Sequence, residues 1–236
     1  AVVPGILLLP RAWFARVASR GAWQAGVALL ALALLVAAAP SRAWDGARAF
    51  AAAQRAGPQA AAAVAELQQL LSSFDGQPAA QLVVAVNDFV NQHLRFGEDI
   101  DVWGEIDYWA SPLESFERGS GDCEDYAIAK YFTLVAAGVA PSQLRLVYVR
   151  ARMAGRSAPQ AHMVLAFHGR SGADPLILDN LVTEVLPASQ RRDLTPVFSF
   201  NSEGLWQGVN GSSAGDPLAR LSRWREVLAK ARAEGF

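Results

Sequence analysis

With a single cysteine, Cys123, in 236 residues, the chain cannot close an internal disulfide, and none can account for its stability. Histidine is nearly as scarce. His93, His162 and His168 are the only three, so any chemistry that needs an imidazole has three candidates. Charge of one sign is also missing: 21 Lys and Arg against 22 Asp and Glu leave a formal net charge of −1. That charge becomes more negative without the arginines of the first 43 residues, which argues against nucleic acid or another polyanion as partner. Beyond residue 43 no stretch approaches the ~20 apolar residues of a membrane helix. The sequence shows neither an internal repeat nor a long linker.

What the first 43 residues do have is the pattern of an export signal. Arg11, Arg16 and Arg20 precede an apolar run over 27–39, Pro40 ends it, and Ser41 and Ala43 put small side chains where a signal peptidase reads. The expectation is a signal peptide over 1–43 and one compact periplasmic domain over 44–236, starting at Trp44 and not inserted in the membrane after cleavage. An uncleaved anchor with its basic flank in the cytoplasm is the alternative. Export bears on Cys123, because a lone thiol is a liability in an oxidising compartment and its presence there favours chemistry over packing.

The chain after residue 43 reads as helices first and strands later. Apolar spacing of three and four predicts helices over 60–71 and 79–94, separated by a Ser-Ser-Phe-Asp-Gly-Gln-Pro breaker, and the Ala-rich stretch over 47–63 is helix-permissive. His93, at the end of the second helix, suits a partly exposed cation at a helix C-terminus. Residues 99–107 place acids and a glycine as an EF-hand loop does. Trp103 at the fifth position and Ala110 at the twelfth exclude that motif, which needs an oxygen ligand and a bidentate glutamate there. Trp103, Tyr108 and Trp109 are expected to form a packed wall or cleft lip.

Gly119, Ser120, Gly121 and Asp122 then read as a turn and helix start, with Ala127, Ile128, Tyr131, Phe132, Leu134 and Val135 at helical spacing until Gly138 and Pro141. Cys123 falls in the first turn of that buried helix, where free N–H groups and the helix dipole favour a thiolate. Afterwards the period changes to two. Strands are expected over 144–151, 161–167, 176–178 and 183–186, then an irregular stretch anchored by Phe198, Phe200 and Trp206, and an amphipathic helix over 218–233. Helices followed by hairpin-connected strands indicate an α+β fold with an antiparallel sheet. If the second and third strands pair, His162 and Asp179 meet at one end of the sheet, where the helix N-terminus can present Cys123. Cysteine hydrolases need such a nucleophile, base and orienting group. His168, at the opposite strand end, is the competing base, and Asn180 the competing orienter.

Residues 121–131 (GDCEDYAIAKY), 161–165 (AHMVL) and 178–180 (LDN) resemble the bacterial transglutaminase-like cysteine proteinases of the periplasmic LapG type. So do 107–114 (DYWASPLE), 187–191 (PASQR), 199–201 (SFN) and 204–206 (GLW), in the family's order. The resemblance implies a papain/transglutaminase-like fold with Cys123 as nucleophile, His162 as base and Asp179 as orienter. It further implies a calcium requirement, with Asp122 and Glu124 as ligands and Asp125 a weaker candidate. Cleavage of a large surface adhesin near its N-terminus, dispersal of biofilm cells, and sequestration by an inner-membrane cyclic-di-GMP receptor belong to the same family picture. Physically, three carboxylates beside a thiol raise its pKa unless a cation compensates them; otherwise they are helix-start acids stabilised by the dipole. A transferase or cell-wall amidase using the same triad, or a binding module, are the other classes the pattern admits.

Overall fold

The computed structural model describes residues 44–236 apart from positions 75, 171 and 210, so the export signal expected over 1–43 lies outside the described residues. No helix among the described residues is long and apolar enough to cross a membrane. Helix α1 (Gly46–Ala56) is capped by the Asp45 carboxylate, which accepts from the Arg48 N–H. Gly57 separates it from α2 (Pro58–Ser73), which has proline at its first position, where no N–H is needed. Helix α3 (Ala79–His93) follows, then strand β1 (Arg95–Phe96), the short α4 (Asp99–Val102) and α5 (Pro112–Arg118). A capping box between Ser111 and Glu114 starts α5, and Gly119, at φ 60°, ends it in the left-handed conformation that glycine adopts without strain.

Strand β2 (Ser120–Gly121) leads directly into α6 (Cys123–Ala136). Parallel pairing of β1 with β2 sets Arg95 against Ser120 and Phe96 against Gly121, which brings the start of α4 beside the start of α6. Helix α6 lies between the other helices and the sheet. Ile128, Leu134 and Tyr131 are fully buried in one cluster with residues of α1, α2, α3, α5 and the sheet's inner face. Each such side chain contributes about 1.5–3 kcal/mol on burial.

The sheet has seven strands in the order β6-β5-β4-β3-β7-β8-β9, all antiparallel. They are β3 (Leu144–Ala151), β4 (Gln160–Phe167), β5 (Leu176–Leu178), β6 (Leu186–Pro187), β7 (Leu194–Phe200), β8 (Leu205–Gln207) and β9 (Ser213–Gly215). Alternation sends Leu144, Leu146, Met163 and Leu165 toward the helices, and Val147, Val149, Val164, Ala166 and Ile177 to a smaller cluster on the other face. Helices α7 (Pro217–Arg220) and α8 (Ser222–Glu234) close the chain.

Helices followed by an antiparallel sheet is the arrangement expected, but three details differ. The expected strand over 183–186 shrinks to Leu186 and Pro187, which pair with Ile177 and Leu176. The stretch expected to be irregular supplies β7, which pairs with central β3; Pro196 is tolerated where the register shifts between Tyr148 and Val149. Trp206 is not a core anchor: it is half-buried, with the Arg145 guanidinium 3.8 Å from its ring centroid, whereas Phe200 is fully buried.

Candidate active site

Asp122 caps α6, its carboxylate accepting from the N–H groups of Glu124 and Asp125. Cys123 is the next residue, the first of the helix. Its thiol donates to Glu124 Oε2 at 2.7 Å. Burial pushes the thiol well up, the charges of Glu124 and Asp122 add to this, and a hydrogen bond from the Met163 N–H acts the other way. Strand β5 pairs with β4 only at Leu165 to Phe167, so β4 carries His162 and Met163 past the end of that neighbour.

The same register explains the partner of the histidine. Leu178 opposes Leu165, so one step further Asp179 falls beside Val164, with His162 diagonal to it on the same face. His162 Nε2 lies 2.8 Å from Asp179 Oδ1, with both residues buried. The Asp179 carboxyl is pushed up by burial, but the His162 bond and charge, the Leu181 N–H and Arg191 together hold it down at about 2. Arg191 Nη2 donates to Asp179 Oδ2 at 2.7 Å and also to Asp193, whose carboxylate accepts from Arg191 Nε too. Asn91 Nδ2 donates to the Asp179 carbonyl at 3.0 Å. His168, beyond the other end of β4, donates its backbone N–H to the Gln143 carbonyl and stands apart from this cluster. His93 Nδ1 meets the Phe89 carbonyl, its Nε2 meets Glu66 and its ring packs on Phe89, so its partners lie on helices α2 and α3.

The acids separate into two groups that share Asp122. Oxygens of Asp99, Asp122 and Asp125 lie within 4.8 Å of one another, as do ligand atoms of Asp122, Cys123 and Glu124. Asp125 is fully buried, accepting from the Ala110 N–H at 2.8 Å and from Trp103 Nε1 at 3.4 Å. Asp99 accepts from the Tyr108 N–H with one oxygen, while the other is buried with no partner. Burial first, then repulsion among the acids, holds Asp122 far above the usual carboxylate range, and burial pushes Asp125 up to about 7. Of the acids expected from the sequence, Asp122 belongs to both groups, Asp125 to the carboxylate cluster and Glu124 to the group with the thiol. Asp99 joins from the start of α4, in the stretch whose EF-hand pattern fails.

Tyr108 packs at a tilt on Trp103 beside the acids, and Trp109 stacks on Phe200 in the core, so the aromatic wall is divided between site and interior. Residues that sequence inspection passed over are Asp99 and Arg191 as neighbours of the site, and Lys130, which is buried on the cysteine helix. Only Lys130 left a usable trace, a charge on an otherwise apolar helix face.

A thiol at a helix start, beside a strand bearing a buried His–Asp pair on an antiparallel sheet, places the molecule among the transglutaminase-like cysteine peptidases. The profile of the family described as bacterial transglutaminase-like cysteine proteinase (BTLCP, peptidase C93) matches residues 59–207, and the chain belongs to that family. Among solved structures it is similar to LapG of Legionella pneumophila. The EGTA-treated form is 38% identical with a TM-score of 0.69, over 79% of this chain and 97% of that one. The calcium-bound form is 37% identical with a TM-score of 0.67, over 79% and 98%. Comparison with curated proteins gives no match.

Proposed function

We propose that Cys123, His162 and Asp179 are the catalytic residues of a calcium-dependent endopeptidase that acts in the periplasm on the N-terminal region of a large surface adhesin. The observation that carries the catalytic assignment is the buried His162–Asp179 pair on the strand packed against the helix that bears Cys123 at its start. With His162 Nε2 donating to Asp179, Nδ1 is the nitrogen left to accept the thiol proton. The thiolate adds to the carbonyl carbon of the scissile amide, and the oxyanion faces the unpaired N–H of Cys123 at the helix start. Collapse breaks the C–N bond, and the amine leaves with the proton held on His162. Water then gives its proton to His162 and its hydroxyl to the thioester, releasing the acid and restoring the thiol.

The acid cluster fits calcium. Asp99 offers a buried carboxylate oxygen without a partner, Asp122 and Asp125 repel it at close range, and all are hard oxygen donors. Asp99, Asp122 and Asp125 would hold the ion, with Glu124 adjacent. When bound, calcium supplies positive charge that offsets the acids beside the thiol. Glu124, which holds the thiol proton at 2.7 Å, keeps Cys123 in the weakly nucleophilic form until that proton passes to His162.

The LapG resemblance supports the remaining parts of the proposal: a signal peptide over 1–43, adhesin release leading to biofilm dispersal, and sequestration by an inner-membrane cyclic-di-GMP receptor. Purified protein incubated with an adhesin N-terminal fragment in calcium should give two products, with the cut located by mass spectrometry. Incorporation of an amine donor or release of peptidoglycan stem peptides, without adhesin cleavage, would establish a transferase or cell-wall amidase instead. Intact mass of the periplasmic form should place its first residue at Trp44; retention of residues 1–43 would indicate an anchor.

A further inference from the structure

Two of the donors that hold the acid cluster come from a stretch with no regular structure of its own. Residues 104–110 belong to no helix or strand and make no backbone–backbone hydrogen bond among the described residues. Yet the Tyr108 N–H donates to Asp99 at 2.6 Å, and the Ala110 N–H donates to Asp125 at 2.8 Å. The Tyr108 ring also packs on Trp103, whose Nε1 donates to the other oxygen of Asp125. These donors can fix the two carboxylates only as firmly as the stretch itself is fixed.

Side chains do that fixing. Trp109 stacks on Phe200 and ties the stretch to the sheet. Toward the last helix, α8, the packing is open: a cavity of 510 Å³ is lined by Asp107, Tyr108 and Trp109 on one side and by Arg223, Glu226 and Lys230 on the other. Lys230 reaches across it. Its Nζ donates to the Tyr108 hydroxyl at 2.7 Å and to Glu114 Oε2 at 2.9 Å, while the Tyr108 hydroxyl donates to Glu114 Oε1 at 2.8 Å. Glu114 Oε2 accepts the Ser111 N–H as well, so one triangle joins the stretch, the start of α5 and α8. Arg223 precedes Lys230 by seven residues, a rotation of about 700°, and so lies within about 20° of the same helix face. It donates to the Asp107 carbonyl at 2.9 Å and pairs with the Asp107 carboxylate. That pair is about half exposed on both sides, whereas Lys230 and Glu114 are 33% and 31% exposed, so the lysine is the firmer of the two holds.

We propose that Lys230 is a positioning residue of the calcium site, which holds Tyr108 from the last helix so that Asp99 and Asp125 keep their oxygens turned toward the ion. The inference rests on the reading of the acid cluster as a calcium site. Among the described residues Lys230 bonds to none of Asp99, Asp122 and Asp125; it acts on them through Tyr108 and Glu114. Three carboxylates within 4.8 Å of one another repel when no cation is bound, and a stretch without backbone bonds yields to that repulsion unless it is braced. With the brace in place the ligands are already assembled when calcium arrives, and less ordering is charged against binding. The sign of the effect is diagnostic. Through space alone, deleting a lysine in the neighbourhood of a cation site favours the cation, so loss of charge predicts tighter calcium binding and loss of the brace predicts weaker binding.

The test is calorimetric titration of calcium into the metal-free protein and into Lys230→Met, with folding of both followed by circular dichroism. The dissociation constant should rise by about three- to tenfold, below the ~10–100-fold typical of a residue bonded directly to a ligand, because Lys230 stands one bond further out. Calcium should then raise the Tm of the variant by less than that of the wild type, whereas a purely structural role lowers Tm equally in calcium and in chelator. Affinity equal to or tighter than wild type in a folded Lys230→Met protein would overturn the proposal. If that variant does not fold, Tyr108→Phe decides, since it deletes the hydroxyl and keeps both the N–H on Asp99 and the ring on Trp103. Weaker calcium binding by Tyr108→Phe supports the brace, and wild-type or tighter binding overturns it. No uptake of calcium by the wild-type protein would remove the calcium reading and this proposal with it, an outcome distinct from unchanged affinity in the variants.

Discussion

Arg191→Met isolates what the guanidinium does for Asp179. The side chain is 3% exposed and joins two carboxylates, Asp179 and Asp193, at 2.7 Å each. Breaking a buried ion pair by deleting one partner costs about 3–5 kcal/mol when the remaining charge is left uncompensated. Here Asp179 keeps the His162 ring at 2.8 Å and the Leu181 N–H at 3.1 Å, and Asp193 is 34% exposed and can turn to water. The expected loss therefore lies lower, at about 2–3 kcal/mol, or roughly 5–10 °C in Tm for a domain of this size. Because Asp179 is held at about 2, below its unfolded value, its contribution is fully present above about pH 4 and is lost as pH falls toward 2. The stability gap between wild type and variant, read from denaturant midpoints, should be constant from pH 7 to about 4 and close below that. Catalysis should suffer in kcat by about tenfold or more, with KM little changed, since the orienting carboxylate loses one fixed oxygen. A variant that melts with wild type at pH 7, or a gap that does not narrow in acid, would refute this account of Asp179.

Cys123→Ala and Cys123→Ser should fold and lose all cleavage, measured by product formation over hours, because nucleophile is removed with little change in volume. Chelation should abolish cleavage and lower Tm, with magnesium a poor substitute because it demands a tight octahedral shell. Asp122 and Asp125 are held above their unfolded values, so without calcium their contribution to stability is lost as pH rises from about 4; the Tm gap between calcium and chelator should widen up to pH 8. Asp99→Asn should weaken calcium binding by tenfold or more in calorimetric titration, and affinity equal to wild type would exclude Asp99 as a ligand. Gly121→Ala should weaken calcium binding and destabilise together, since a Cβ there meets the Asp125 carboxylate and approaches its Cβ at 2.7 Å; an alanine variant with wild-type affinity would show that the cluster tolerates displacement.

Helix α6 and strands β3 to β5 were legible because their apolar periods are clean and their ends carry Gly, Pro or Asp. Strand β7 was not, since its outer residues are exposed and Pro196 interrupts the pattern; its pairing with β3 includes a register shift that leaves Val197 without an opposite residue. The capping box at Ser111 and Glu114 did mark α5 and could have been used. His162 and Asp179 could be juxtaposed from strand register alone, whereas Asp99 reaches Asp122 only through the two-residue pairing of β1 with β2, which has no sequence signature. Arg191 likewise meets Asp179 through a turn whose path is tertiary. Lys130 was readable on a helical wheel as a charge facing inward; what surrounds it was not.

The last helix has a consequence for when the molecule can work. Glu234 accepts from the Ser111 hydroxyl and the Leu113 N–H, bracing the start of α5 and so the segment that delivers Asp122 and Cys123. Its carboxyl is pushed up to about 7, by burial above all. The parts of the constellation are spread from Asp99 to Glu234, and β7 must be in place beside β3 before the sheet around His162 is complete. An unfolded chain therefore carries its thiol without the base, the orienting carboxylate or the acid cluster beside it. The geometry of the site comes into being only when the fold is complete, down to its last helix.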